Sequence, residues 1–110
     1  MEKEFVPYEL ALRMKQLGFD QPCMASKDMN NDKGLIQLPL YQQAFRWFRE
    51  KYDLDSEIYM NHELGVKFYT YLILQLERAV ITHKLGYTGR FDTYEEAELA
   101  CLTKLIEIVE

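Results

Sequence analysis

The sequence predicts an α+β fold in the order helix, hairpin, helix, hairpin, helix, with an antiparallel sheet packed against the helices. Three observations predict it: apolar residues spaced three and four apart in three segments, turn residues clustered between two short apolar runs, and aromatic and β-branched residues concentrated between 66 and 87. The length of 110 residues is that of a single domain, residues 1–110.

The first helix is predicted in the stretch VPYELALRMKQLGF. Pro7 suits the first turn, where the backbone N–H that proline lacks would have no partner inside the helix, and Gly18 suits the left-handed residue that ends a helix. The apolar face between them consists of Leu10, Met14 and Leu17.

A hairpin is predicted next, because turn residues separate the short apolar segments 22–25 and 35–38. Alternate oxygen-bearing residues starting at Asp28 also have the spacing of an EF-hand calcium loop. In that register Lys33 takes the place of the glycine and Pro39 that of the bidentate glutamate. This stretch is therefore interpreted as a hairpin tip and not as a metal site.

The second helix is predicted in PLYQQAFRWFREKYDL, opened by Pro39. Its apolar stripe consists of Leu40, Ala44, Phe45, Phe48 and Tyr52. With this stripe facing inward, we expect Trp47 at the edge of the buried face or outside it, with Arg46 and Arg49 solvated. An exposed tryptophan between arginines is typical of a contact site for a protein or for single-stranded nucleic acid.

Residues 61–90 leave two interpretations open. As strands, VKFYTYLIL and AVITHKLGY are rich in aromatic and β-branched residues, and a charged turn at Glu77–Arg78 separates them. As a helix over residues 61–85, Asn61 would cap a series of apolar residues at steps of four, and the fold would be a mainly α-helical bundle. The hairpin is the preferred interpretation.

The last helix is predicted in TYEEAELACLTKLIEIVE, which begins with a capping box of Thr93 and Glu96. Two interleaved apolar stripes make a wide face that has to be covered from two sides. The small residues Ala97, Ala100 and Cys101 permit a close approach to a sheet. We expect this helix to be the centre of the core.

Thirteen basic and eighteen acidic residues give a net charge of −5, and neither half of the chain is basic. Duplex nucleic acid usually needs a concentrated positive face, so the composition disfavours this ligand. The opening MEKEFVPYEL lacks the apolar segment of a signal peptide, and no apolar run reaches the about 18 residues that span a membrane. A cytoplasmic protein without membrane contact and with reduced thiols is expected.

Three stretches, GFDQPC, YQQAFRWFREKY and FDTYEEAELACLTKLIEIVE, together resemble small uncharacterised proteins of bacteriophages and mobile elements in gut anaerobic bacteria. The resemblance leaves residues 53–90 unmatched. It implies a strand-like middle segment and an origin on a phage-derived element, and it carries no activity or site.

The stretch GRFDTYEEA is similar to the strand-to-helix passage of plant ethylene-response-type DNA-binding domains. Those domains present arginine and tryptophan side chains on their strands, whereas residues 61–90 offer four basic residues and no tryptophan. We interpret the similarity as shared packing, in which Thr93 caps the helix and Ala97 lets it approach the sheet.

No residue is assigned to catalysis, to a cofactor or to a metal. The histidines His62 and His83 and the cysteines Cys23 and Cys101 contain no close-spaced pair of the kind that zinc sites use. Cys101 falls on the apolar face of the last helix, which predicts a buried thiol that is not a nucleophile.

Three functional hypotheses remain. The leading one is a non-enzymatic accessory protein that acts by protein–protein contact, either as a homodimer or with another protein, with Arg46, Trp47 and Arg49 as the candidate contact. The second is a nucleic-acid-associated factor that uses the same helix. The third is a small-ligand enzyme, which would rest on the two histidines and the carboxylates alone.

Overall fold

A computed structural model describes residues 4–23, 25–28, 35–77, 80–86 and 90–110. The helices and strands in these ranges are, in order, α1 (Tyr8–Gln16), β1 (Ala25–Asp28), β2 (Leu35–Leu38), α2 (Tyr41–Tyr52), β3 (Leu54–Glu63), β4 (Val66–Glu77), β5 (Val80–Gly86) and α3 (Tyr94–Val109). The predicted α+β class is confirmed. No helix in the described ranges is long and apolar enough to cross a membrane.

The strands form two antiparallel sheets. β1 pairs with β2, and β4 lies between β3 and β5 in a three-stranded sheet. The prediction of a single hairpin in residues 61–90 therefore needs correction, because the sheet has a third strand that starts at Leu54, directly after α2. The predicted tip at 29–34, with its calcium-like spacing, and the turn residue Arg78 lie outside the described residues.

The helical alternative for residues 61–85 is wrong. Its evidence was a series of apolar residues at steps of four, and four is also a multiple of the two-residue repeat of a strand. The middle of β4 is in fact buried on both faces: Phe68 and Thr70 lie on one face, and Tyr71 and Ile73 lie on the other. A strand enclosed in this way shows no clean alternation of polar and apolar residues.

Local signals fix the helix ends. After α1, Gly18 adopts φ +106°, its N–H donates to the carbonyl of Lys15, and the Phe19 N–H donates to the carbonyl of Met14, both at 3.0 Å. These two bonds are the Schellman arrangement. At the start of α3, the Thr93 hydroxyl accepts a hydrogen bond from the Glu96 N–H at 3.1 Å, as the capping box predicted.

The core is built around α3. Its fully enclosed side chains are Ala97, Cys101, Leu102, Leu105 and Ile106. The helix contacts β3 and β4 of the three-stranded sheet, and it also contacts α1 and α2. The wide apolar face predicted from the sequence is thus covered from two sides, although Leu99 at its margin is 41% exposed.

Leu102→Ala should lower the free energy of unfolding by about 2–5 kcal/mol, because truncating an enclosed leucine removes its burial and leaves a cavity. Urea unfolding followed by circular dichroism measures the change. Leu99→Ala is the matched control on the same helix, where a change below about 1 kcal/mol is expected. Equal losses in the two variants would contradict the placement of α3 between sheet and helices.

Candidate functional site

The contact residues predicted from the sequence lie on α2, but one of them is buried. Trp47 is only 7% exposed, so the expectation that it lies at the edge of the core or outside it is wrong. Its ring meets that of Phe19 edge-on, with 5.4 Å between the ring centroids. Arg46 and Arg49 are exposed, and the guanidinium of Arg49 lies 3.8 Å from the carboxylate of Asp55.

Trp47 is enclosed by a part of the chain that the spacing of α2 alone does not reveal. Phe19 follows the glycine that ends α1, where a Schellman motif commonly places an apolar contact. In addition, the Lys51 ammonium lies 4.9 Å from the Trp47 ring centroid and donates to the Leu17 carbonyl at 3.0 Å. Arg46 and Arg49 therefore have no exposed tryptophan ring between them on which a base could stack.

The histidines and cysteines are spread over different elements. His62 is exposed near the end of β3, His83 lies on β5, and Cys101 is enclosed on α3. Burial raises the pKa of the Cys101 thiol to about 12, so the thiol stays protonated at neutral pH. Among the described residues no group of three histidine, cysteine or acidic side chains is placed to hold a metal ion.

The outer end of the β3–β4 hairpin, residues 60–67, is exposed to solvent; we call it the hairpin arm. Its two strands are joined by Leu64 and Gly65, both left-handed with φ of 52° and 81°, between the paired residues Glu63 and Val66. This is the backbone of a two-residue type I′ turn. Leu64 is 97% exposed and Val66 is 57% exposed, so the arm ends in an apolar tip.

Arg90 and Phe91 support the arm along its length. Arg90 forms an ion pair with Glu63 of β3, and its guanidinium carbon lies 4.4 Å from the ring centroid of Phe68 on β4. Tyr69 of β4 exchanges two backbone hydrogen bonds of 2.8 Å with Phe91. The segment that leads into α3 is thereby joined to the arm, and the tip is carried on a paired, supported hairpin.

A second surface feature is a groove of about 360 Å³ at the N-terminal ends of α2 and α3. We call it the carboxylate groove, because Glu4, Glu95 and Glu98 line it together with the tyrosines Tyr41 and Tyr94. Its described lining contains no lysine, arginine or histidine. The groove is thus an acidic depression with aromatic walls.

Three groups in the carboxylate groove, Glu98, Tyr41 and Tyr94, have raised pKa values. Burial, and then the neighbouring Glu95 carboxylate, raise the pKa of Glu98 to about 7. Burial and the Glu98 carboxylate raise the pKa of Tyr41 to about 12. The same two causes are the largest ones that raise the pKa of Tyr94. Glu98 therefore gains its negative charge near neutral pH, while both tyrosines keep their hydroxyl protons.

Comparison with protein-family models, with curated proteins and with solved structures finds no match to this chain. The assignment of function therefore rests on the hairpin arm and the carboxylate groove. Sequence reasoning missed both. Leu64 directly before Gly65 was a readable signal for the arm, because glycine in a two-residue hairpin loop marks a turn, whereas the groove joins residues from three separate parts of the chain.

In the native protein, Cys101 should not react with a thiol reagent such as 5,5′-dithiobis(2-nitrobenzoate), because its sulfur is enclosed and protonated. The half-buried Cys23 should react slowly. The absorbance of the thiolate released from the reagent counts the cysteines that have reacted. We expect one cysteine to react in the native protein and two in denaturant. The Cys23→Ser variant should show none until it unfolds, and rapid native labelling of that variant would disprove the burial.

Glu98→Gln should raise the free energy of unfolding at pH 8 by about 1 kcal/mol and change it little at pH 4.5. The folded-state pKa of about 7 lies above the ordinary 4.5, so the folded state holds a proton that the unfolded chain has lost in this window. Stability contributed by protonated Glu98 therefore falls as pH rises through the window. The expected rise of about 1 kcal/mol is smaller than the pKa difference alone would give, because solvent in the open groove screens the Glu98 charge.

Urea titrations at the two pH values make this measurement. The control is Glu107→Gln, which replaces an exposed glutamate on the same helix. This variant should not show the rise in the free energy of unfolding at pH 8. A Glu98→Gln variant with the same gain at both pH values would mean that the gain does not come from the carboxylate charge.

Proposed function

We propose that the protein is a non-enzymatic accessory protein that acts by protein–protein contact, with the hairpin arm as the contact element and a second copy of the chain as its occupant. The observation that carries the proposal is Leu64, nearly fully exposed at a left-handed turn position. An origin on a phage or mobile element belongs to the same proposal and rests on the sequence resemblance alone.

Leu64 is unfavourable for the isolated chain in two ways. The first position of a type I′ turn favours asparagine, aspartate or glycine, and a left-handed backbone costs a residue with a bulky side chain about 1–2 kcal/mol. Its side chain is 97% exposed, so it also gains nothing by burial. A contact outside the chain would give this side chain a role that the folded monomer does not.

The edge of the sheet supports a second copy as the occupant. In the described sheet β3 pairs with β4 alone, so the other side of this ten-residue strand is an open edge. Such edges readily pair with another strand. Antiparallel pairing of two β3 strands centred on Ile58 puts Asp55 opposite Asn61 of the second copy, and between Leu54 and His62 it brings no two like charges face to face.

The same register accounts for the apolar tip. Counting outward from Ile58, Leu64 reaches the position opposite Tyr52 of the second copy, whose ring is half-buried. The tip of each arm would then pack on the α2–β3 junction of the other copy. Two-fold symmetry makes every such contact occur twice, as in most homodimers.

Other features favour binding over catalysis. The exposed His62 lies on the arm itself, beside the proposed interface with the second copy. The Cys101 thiol, with its pKa raised to about 12 by burial, is a poor nucleophile. The exposed Arg46 and Arg49 remain a candidate contact on α2, without the ring of Trp47.

Leu64→Asn should weaken self-association by about tenfold or more and at the same time raise the stability of the monomer, because asparagine suits the turn but removes the apolar tip. Light scattering after size-exclusion chromatography, over a concentration series, gives the dissociation constant of the dimer. At high concentration the mass of the wild-type protein should approach twice 13.1 kDa. Leu99→Asn, at an exposed leucine on α3, should leave association unchanged.

A charge exchange tests the register. Asn61→Asp places two carboxylate pairs face to face in the symmetric dimer and should weaken it, whereas adding Asp55→Lys to that variant should restore association. A wild-type chain that stays monomeric at millimolar concentration would overturn the second copy as occupant. A dimer that is indifferent to Leu64→Asn and Asn61→Asp would place the interface elsewhere.

A further inference from the structure

The carboxylate groove is independent of the hairpin arm and has a different chemistry. Three carboxylates, Glu4, Glu95 and Glu98, line a depression without a basic residue in its described lining. Its volume of about 360 Å³ falls at the small end of the range of ligand pockets, about 300–1,000 Å³. An acidic cluster alone is ordinary surface, so a ligand needs a separate indication.

Tyr41 supplies that indication. The residue is 6% exposed, yet the two causes that raise its pKa are burial and the Glu98 carboxylate, and neither is a hydrogen bond. None of the hydrogen bonds in the described part of the chain involves its hydroxyl, and no fully enclosed polar side-chain atom there lacks a partner. The hydroxyl therefore opens onto the carboxylate groove, which Tyr41 lines, and is unpartnered there.

We propose that the carboxylate groove binds a primary ammonium group carried on a short aliphatic chain. Its carboxylates balance the positive charge, and the Tyr41 hydroxyl accepts a hydrogen bond from the ammonium. The rings of Tyr41 and Tyr94 contact the aliphatic chain and can also attract the cation through their faces. Hydrogen bonds between an ammonium and a carboxylate are about twice as strong as neutral ones.

An extended organic cation fits better than a metal ion. The acidic residues of the groove are not among any described group of three that could hold one ion. A chain of several carbon atoms can instead place its charge near one carboxylate while its methylene groups lie along the tyrosines. Both a free diamine and a lysine side chain of another protein carry this chemistry.

The carboxylate groove is tested with two probes at pH 8, where Glu98 is mostly ionised: 1,5-diaminopentane, and Nα-acetyl-lysine amide for a protein-borne lysine. Isothermal titration calorimetry or tyrosine proton shifts measure binding at fixed ionic strength. We expect binding of at least one amine and none of the uncharged 1,5-pentanediol. Glu98→Gln should weaken binding by about tenfold or more, and Tyr41→Phe by about threefold to tenfold.

The control Glu107→Gln removes the same charge from an exposed site on α3 and should leave the affinity unchanged. Binding should weaken as pH falls below about 7, because protonation removes the Glu98 charge. Preference for the diamine identifies a small ligand, and preference for the lysine amide identifies a protein partner. No binding of either amine at millimolar concentration, or equal binding by Glu98→Gln, overturns the proposal, whatever the oligomeric state of the chain.

Discussion

The close approach of α3 to the three-stranded sheet is the constraint on which the other elements depend. Ala97 and Cys101 are fully enclosed, and small side chains at these positions let the helix backbone lie near β3 and β4. Leu102 and Ile106 are equally enclosed, and α3 also contacts α1 and α2. α1 therefore reaches the three-stranded sheet mainly through α3, whereas α2 also contacts β3 directly. A larger side chain at Ala97 or Cys101 would push α3 away from the sheet and disturb the packing of both outer helices.

This packing also explains why the hairpin arm is exposed. The 16 residues of α3 span about 24 Å, whereas the 12 residues of β4 span about 40 Å. A helix of that length cannot cover strands of that length, so one end of the β3–β4 pair extends beyond the helix layer. Support for the projecting part comes instead from Arg90 and Phe91, which precede α3. The reach of the arm is thus set by a difference in element length.

Much of the helical framework could be predicted because its signals are local: Pro7 and Gly18 bound α1, and Thr93 caps α3. The features that failed depend on distant residues. Trp47 is buried by Phe19, which α2 does not contain, and β3 begins after Asp53, which turns the chain with φ 56° where glycine would have been expected. The strand and helix readings of β4 could not be separated, because a spacing of four satisfies both periods.

The two candidate sites share a property that the core lacks. At Leu64 a bulky apolar side chain occupies a left-handed, exposed turn, and at Glu98 a carboxyl group is buried enough to raise its pKa to about 7. Each departure weakens the folded chain, and each could be relieved by a single substitution, with asparagine or with glutamine. Sequences that satisfy local conformational preferences elsewhere tend to violate them at functional surfaces. The arm and the groove are, on this physical ground, the places where binding partners should be sought.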